Sequence, residues 1–137
     1  MYNKFGQFID GKWQPAEKKE TYEVINPANE EIIGHASKAS AKDVDDALKS
    51  AQKGLEFWKN TPPWQRSYTL RKIADKMREK QDVLAKWMTL EVGKPFAEAK
   101  GEVGGSADIF EWNAEETKRI YGQTVESRFK GTRVHVY

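Results

Sequence analysis

The sequence predicts a helix-rich α+β fold, with strands first, about four helices next and one strand at the end. Three observations support this prediction. Residues 8–36 contain short alternating runs separated by turn residues, which is typical of antiparallel strands. Residues 40–122 repeat apolar side chains at helical spacing. Residues 133–137 alternate again. The chain therefore divides into strands and a hairpin over 1–39, helices over 40–122 and a strand within 123–137.

The first region begins with a predicted hairpin over residues 8–13, FIDGKW. Its centre, Asp10-Gly11, favours a type I′ turn, which needs positive φ at both central residues. Residues 21–25 alternate and predict a half-buried strand, and residues 31–36 return after an Asn-Pro turn. The sequence therefore predicts a small antiparallel sheet in this region.

The first predicted helix starts after Ser40, with Asp43 three residues later as the second half of a capping box. A second helix follows Pro63, because proline is tolerated at the first helical position. A third begins near Asp82 and ends at Gly93. The predicted buried stripe of the first helix consists of Val44, Ala47, Leu48, Ala51, Leu55 and Trp58.

The fourth predicted helix follows Pro95 and runs to Gly122, which would end it in the left-handed conformation. Gly101, Gly104 and Gly105 lie inside it, and each costs roughly 1 kcal/mol of helix stability relative to alanine. These glycines either let helices pack closely, which we favour, or leave room for a ligand. The predicted buried stripe consists of Phe96, Ala99, Val103, Ala107, Phe110, Ala114 and Tyr121.

Composition limits the chemistry that the chain can perform. The 137 residues include no cysteine, which excludes a disulfide, a zinc finger of cysteines and a thiol nucleophile. The net charge is only +2 with both signs interleaved, so we expect no nucleic-acid partner. No apolar run reaches the ~18 residues of a membrane span, and the first residues lack the apolar core of a signal peptide. We therefore expect a cytoplasmic protein with no membrane partner.

Motifs for catalysis, metal ligation and cofactor binding are weak. His35 and His135 lie in separate strand-like runs, which indicates structural or exposed side chains. Residues 101–106, GEVGGS, lack the G-K-[ST] ending of a phosphate loop and do not follow a strand. We therefore assign no residue of this chain to catalysis or to cofactor binding.

Four segments fall in an order that is typical of one enzyme family: FIDGKW (8–13), VINPANEEIIG (24–34), GKPFAEAKGEV (93–103) and EWNAEETKRIYG (111–122). On these motifs the chain resembles the N-terminal portion of the aldehyde dehydrogenases, and residues 111–122 look most like the succinate-semialdehyde dehydrogenase branch. The resemblance implies that residues 1–137 are the N-terminal part of the cofactor-binding domain of a longer α/β, Rossmann-like enzyme. Residues 123–137 would then start the arm towards the oligomerisation strand.

The resemblance also implies the chemistry of the parent enzyme. Aldehyde dehydrogenases attack the aldehyde with a cysteine, pass hydride to NAD or NADP and use a glutamate base. The cysteine, the glutamate and the cofactor motifs of the family lie beyond this sequence, so we expect no cofactor and no activity for the chain alone. The implied substrate of the full-length parent is a small aldehyde such as succinate semialdehyde. The implied partners are the rest of that enzyme or further copies in a homo-oligomer.

Two candidate sites follow from the resemblance. The positions that match the wall of the family's substrate tunnel are Gly104, Gly105 and Asp108. A carboxylate at position 108 is unexpected beside an anionic semialdehyde, because the two charges have the same sign. Asn113 also differs from the aromatic residue that the succinate-semialdehyde dehydrogenase branch usually has at this position. The positions that match a monovalent-cation site of the family are Val24, Ile25 and Glu91.

The alternative is an independent helical protein-interaction module. The end of the chain, ESRFKGTRVHVY (126–137), separates the two hypotheses, because it resembles the family's arm and a free-standing module would not need a terminal strand. We expect the partner of strand 133–137 to be the early hairpin or another chain. An unpaired edge of this kind predicts that the isolated chain self-associates.

Overall fold

The computed structural model describes residues 6–137. The elements in that part of the chain, in order, are β1 (Gln7–Ile9), β2 (Lys12–Gln14), β3 (Thr21–Ile25), β4 (Ile32–Ser37), α1 (Ala41–Lys59), α2 (Pro63–Glu79), α3 (Gln81–Val92), α4 (Phe96–Glu116), a 3₁₀ turn (Thr117–Arg119), β5 (Gln123–Glu126) and β6 (Arg133–Val136). The helix-rich α+β class is confirmed. The first five residues of the predicted strand region 1–39 lie outside the described residues.

The early strands form two antiparallel pairs, β1 with β2 and β3 with β4. Asp10 and Gly11 both have positive φ, at 54° and 76°, as the predicted type I′ turn requires. The β3–β4 register shifts between Val24 and Ile25, which indicates a bulge at the end of β3. The small antiparallel arrangement expected for this region is therefore confirmed, as two separate hairpins.

The end of the chain differs from the prediction of one final strand. β6 pairs antiparallel with β5 and not with the early hairpin, and the pairing with another chain stays a prediction. β5 was not predicted, because three of its four residues, QTVE, are polar and all four are exposed. The predicted role of Gly122 is also wrong: its φ is not positive, and a Cβ there would clash with the carbonyl oxygen of Val136. Gly122 therefore lets the two strands approach, while α4 ends earlier, at Glu116.

The start of α1 is anchored by the predicted capping box. The Asp43 amide donates to Ser40 Oγ at 3.3 Å, and the Ser40 amide donates to Asp43 Oδ2 at 2.8 Å. The amide of Glu17 also donates to both carboxylate oxygens of Asp43, at 3.1 and 3.2 Å. The hydrogen bond from the Ser40 backbone is the main reason that the pKa of Asp43 lies below its ordinary value. One buried carboxylate thus ties α1 to the connection between β2 and β3.

The core lies where α2 and α3 pack on α4, and it is built from small side chains. Its buried apolar residues on these helices are Ala74, Ala85, Ala99, Val103, Ala107 and Ala114. Alanine at the contact lets helix backbones approach closely, because little side-chain volume separates them. The stripe predicted for α4 is confirmed at its centre, whereas Phe96 and Tyr121 at its ends are exposed.

Opposite charges border the contact between α2 and α4. α2 carries five basic and two acidic residues, whereas α4 carries six acidic residues and one basic residue. Arg78 Nη2 donates to Asp108 Oδ1 and to Glu111 Oε2, both at 2.7 Å. A second ion pair joins Arg71 of α2 to Glu115 of α4. The apolar contact is narrow, so these ion pairs help to fix the register of the two helices.

The stripe predicted to be buried on α1 is exposed in this chain. Leu48 is 63% exposed and Leu55 is 55% exposed, and the side chains of Val44 and Trp58 are also open to solvent. Among the described elements, α1 packs mainly on β1, and no layer covers its apolar side. The period of the helix was predicted correctly, but its burial was not, because burial requires a partner layer that residues 6–137 do not supply.

Candidate functional site

The three positions predicted to line a tunnel lie together on the middle of α4. A Cβ atom added at Gly105 would meet nothing within 4 Å, and the same holds at Gly101. A Cβ at Gly104 would lie 3.1 Å from Nε2 of Gln81, which itself donates to the carbonyl oxygen of Lys100 at 2.9 Å. The preference for close helix packing is therefore wrong at Gly101 and Gly105, where the backbone borders open space.

Asp108, the third of these positions, is not a free carboxylate. Its Oδ1 accepts from Arg78 Nη2 at 2.7 Å, and this hydrogen bond is the main reason that the pKa of Arg78 lies above its ordinary value. Glu111 accepts from the same guanidinium nitrogen. The charge of Asp108 is thus partly compensated by a neighbouring cation, which reduces its repulsion of an anionic molecule.

Beside Asp108 lies a cleft of about 410 Å³ whose rim includes Asp108, Glu111, Trp112, Glu115, Glu116 and Arg119. Each carboxylate on the rim has a basic partner. Glu115 pairs with Lys118 at 2.7 Å as well as with Arg71, and Glu116 pairs with Arg119 at 2.8 Å. Paired and exposed carboxylates are typical of a solvated helix surface, and this pairing does not resemble the environment of a general acid or base.

The predicted cation site draws on two segments that the structure brings together. A Cβ at Gly93, just after α3, would lie 2.9 Å from Cγ of Pro27, in the turn that follows β3. Val24 and Ile25 end β3, and Glu91 is exposed in the last turn of α3. Within residues 6–137 no cluster of three or more His, Cys, Asp or Glu side chains is placed to hold a metal ion. A cation here would therefore depend on backbone carbonyl oxygens, and the site stays a prediction.

A larger groove, of about 620 Å³, lies between the end of α1, the start of α2 and the end of α4. Its lining includes Trp58, Arg66, Leu70, Ile109, Phe110 and Asn113. The Nε atom of Arg66 is buried and makes no hydrogen bond within the described part of the chain. The sequence did not predict Arg66 as a site residue, because an arginine on an amphipathic helix ordinarily reaches solvent.

Asn113 lines this groove and is not among the residues that line the cleft beside Asp108. Its Nδ2 donates to the carbonyl oxygen of Ile109, one turn earlier, at 2.8 Å. The departure from the usual aromatic residue at this position therefore changes the lining of the groove.

None of the helices in residues 6–137 combines the length and apolar character of a membrane span. His35 lies in β4, and His135 in β6 has its Nδ1 atom 3.2 Å from Thr124 Oγ1 of the paired strand. Both histidines are exposed strand residues, as the sequence predicted.

Comparison with known proteins gives a consistent result over nearly the whole chain. Residues 13–137 match the family model described as the aldehyde dehydrogenase family. The glutarate-semialdehyde dehydrogenase of Pseudomonas aeruginosa is 43% identical over 129 residues, which cover 94% of this chain and 27% of that protein. The NADP(+) succinate-semialdehyde dehydrogenase of Escherichia coli K12 is 44% identical over 117 residues, which cover 85% of this chain and 24% of that protein.

A solved structure supports the same assignment. The crystal structure of an NADP dependent enzyme from Escherichia coli matches with a TM-score of 0.87 and 41% identity, over 97% of this chain and 28% of the other. This chain thus spans about a quarter of the length of the proteins that it resembles. The motifs, the fold and the match over residues 13–137 agree, and the chain belongs to the aldehyde dehydrogenase family.

Proposed function

We propose that this chain is the N-terminal portion of an NAD(P)-dependent aldehyde dehydrogenase that oxidises a small aldehyde to its carboxylate. One observation carries the proposal: the family match covers residues 13–137, while the chain spans only about a quarter of each relative. A chain with no cysteine cannot form the thiohemiacetal through which a cysteine nucleophile acts. We therefore assign the chemistry to the rest of the parent enzyme and expect the chain alone to be inactive.

The proposed substrate is a small semialdehyde that carries a carboxylate. Two relatives are named for glutarate semialdehyde and succinate semialdehyde, which differ by one methylene. Pairing of Asp108 with Arg78 supports the proposal, because it reduces the repulsion between Asp108 and an anionic aldehyde. The carboxylate of Asp108 is therefore a weaker argument against an anionic semialdehyde than the sequence alone indicated.

Gly104, Gly105 and Asp108 are proposed as part of the wall of the substrate tunnel. The open space beside Gly105 supports this role, since a missing side chain there widens whatever passage the rest of the enzyme completes. Val24, Ile25 and Glu91 are proposed as the monovalent-cation site. The close approach of Gly93 to Pro27 supports that second site, because it holds the end of α3 beside the end of β3.

The proposed cofactor is NAD or NADP, bound by the remainder of the parent enzyme. One relative is named for NADP(+). Residues 101–106 do not fit the phosphates of such a cofactor, because they lie inside α4 and their amides point along the helix rather than into a phosphate-binding loop. Assembly into a homo-oligomer and a cytoplasmic location complete the proposal, and both stay predictions.

A chimera tests the proposed function. The 137 residues would replace the matching segment of the Escherichia coli succinate-semialdehyde dehydrogenase, and NADPH formation would be measured with succinate and glutarate semialdehydes. We expect the chimera to oxidise at least one of them. A chimera that folds and binds NADP(+) but oxidises neither aldehyde would contradict the proposal.

A further inference from the structure

Two carboxylates of α4, Asp108 and Glu111, are held by a single atom of α2. Nη2 of Arg78 donates to Asp108 Oδ1 and to Glu111 Oε2, at 2.7 Å each. We propose that Arg78 is a positioning residue that sets the charge preference of the aldehyde entrance: it orients these two carboxylates and offsets their charge, so that the cleft beside them admits aldehydes that carry a carboxylate. The inference rests on the proposed function, because it concerns the aldehyde that the parent enzyme oxidises.

The cleft beside Asp108 needs such a cation if an anion is to enter it. Among the described residues, its lining comprises four carboxylates, the indole of Trp112 and one cation, Arg119. Four carboxylates around an opening of about 410 Å³ would repel an anion if no further cations lay near them. The cations that offset this charge therefore have to come mostly from side chains outside the lining, and Arg78 of α2 is one of these.

Arg78 differs from the other cations near the cleft, because two carboxylates depend on it. In the part of the chain that the structure describes, no other Lys or Arg forms an ion pair with Asp108 or Glu111. The remaining two carboxylates of the lining have basic partners of their own. Loss of Arg78 would therefore leave two neighbouring negative charges unpaired at the cleft, whereas the rest of the lining would keep its charge balance.

The size of the effect follows from the exposure of the pair. The side chain of Arg78 is 40% exposed and that of Asp108 is 73% exposed, so their charges act largely through water. A unit charge about 8 Å from an anion, in a medium with a dielectric constant of about 40–80, changes the affinity for that anion about two- to fivefold. Added salt should reduce this change, and an uncharged aldehyde should not respond to it.

The test measures KM and kcat of the chimera with succinate semialdehyde and with butanal, the uncharged aldehyde with the same number of carbon atoms. At low salt, Arg78→Gln should raise KM for succinate semialdehyde about two- to fivefold, with kcat and the KM for butanal unchanged. Arg78→Lys keeps the positive charge and should retain a KM near the original. Lys42→Gln is the matched control, because it removes one cation from another ion pair, with Asp46 on α1, and should change neither KM.

A rescue variant separates charge from structure. The double variant Arg78→Gln, Asp108→Asn removes one of the two carboxylates that lost their cation, so KM for succinate semialdehyde should return towards its original value. A merely structural role of Arg78 would not be rescued, because the double variant does not restore the contact between α2 and α4. An equal rise in KM for both aldehydes, no rise for either, or a double variant that is not rescued would overturn the inference.

A second measurement uses the isolated chain and does not depend on activity. Trp112 lines the cleft and is 70% exposed, so quenching of its fluorescence reports the local charge. Comparison with Trp112→Phe isolates its signal from that of the other tryptophans. Arg78→Gln should lower the quenching constant of Trp112 for iodide, an anion, at least about twofold at low salt, and leave that for acrylamide, which is neutral, unchanged. Unchanged iodide quenching would contradict the inference.

Failure of the proposed function gives a different pattern. A folded chimera that oxidises neither aldehyde, together with weaker iodide quenching in Arg78→Gln, would contradict the catalytic assignment and support the role of Arg78 in admitting anions to the cleft. An active chimera whose KM values do not respond to Arg78→Gln would support the catalytic assignment and contradict the inference about Arg78.

Discussion

Replacing Gly105 with alanine should stabilise the isolated chain. Gly105 lies inside the 21-residue helix α4, and a Cβ atom there would meet nothing within 4 Å. The substitution therefore introduces no clash, and it removes the backbone entropy that glycine loses on folding. The intrinsic difference between the two residues inside a helix is about 1 kcal/mol in favour of alanine. For a chain of this size that change raises the melting temperature by about 3–5 °C.

Urea unfolding followed by circular dichroism would measure the effect. Gly93→Ala is the matched control, because Gly93 has φ of +76° and its added Cβ would lie 2.9 Å from Pro27 Cγ. We expect Gly93→Ala to lower the free energy of unfolding and Gly105→Ala to raise it. A decrease with Gly105→Ala would refute the conclusion that open space borders α4 at this point.

Three further predictions concern the helices. Asp43→Ala should lower the urea midpoint, because it removes the capping box and the acceptor for the Glu17 amide. The pKa of Asp43 is lowered in the folded chain, so its contribution to the free energy of unfolding should be complete above its ordinary pKa and lost as the pH falls through the folded value. Asp43→Ala should therefore reduce the decrease in stability at acidic pH. Arg78→Ala should lower the urea midpoint at low salt and have less effect at high salt, because its ion pairs are partly exposed. Leu48→Gln should change the free energy of unfolding of the isolated chain by less than about 0.5 kcal/mol, as expected for an exposed side chain, but should destabilise the chimera.

Local sequence preferences were sufficient to predict the turns and helix ends that depend only on neighbouring residues. The Asp10-Gly11 turn, the Ser40 cap and the end of the third helix at Gly93 all follow from the conformational preferences of those residues, and the structure has each of them. Burial was harder to predict. The apolar stripe of α1 has the correct helical period, yet it is exposed, because no element of residues 6–137 covers it.

The candidate site also combines features that the sequence predicted with features that only the folded structure shows. The sequence located Gly105 within a helix, but only three-dimensional packing shows that open space lies beside it. The pairing of Asp108 with Arg78 joins residues 30 positions apart and has no local signature. Arg66 was missed because its buried Nε is a property of the α1–α2–α4 arrangement. Likewise, β5 could not be recognised from a four-residue segment with a single apolar side chain.

The most direct measurement is the aldehyde-dependent formation of NADH or NADPH by the purified chain alone, after removal of host dehydrogenases. We expect no reduced cofactor with succinate or glutarate semialdehyde, because the chain has no cysteine to attack the aldehyde. The same 137 residues within the chimera should support turnover under identical conditions. Turnover by the isolated chain would contradict the proposal that its role is to complete a larger dehydrogenase.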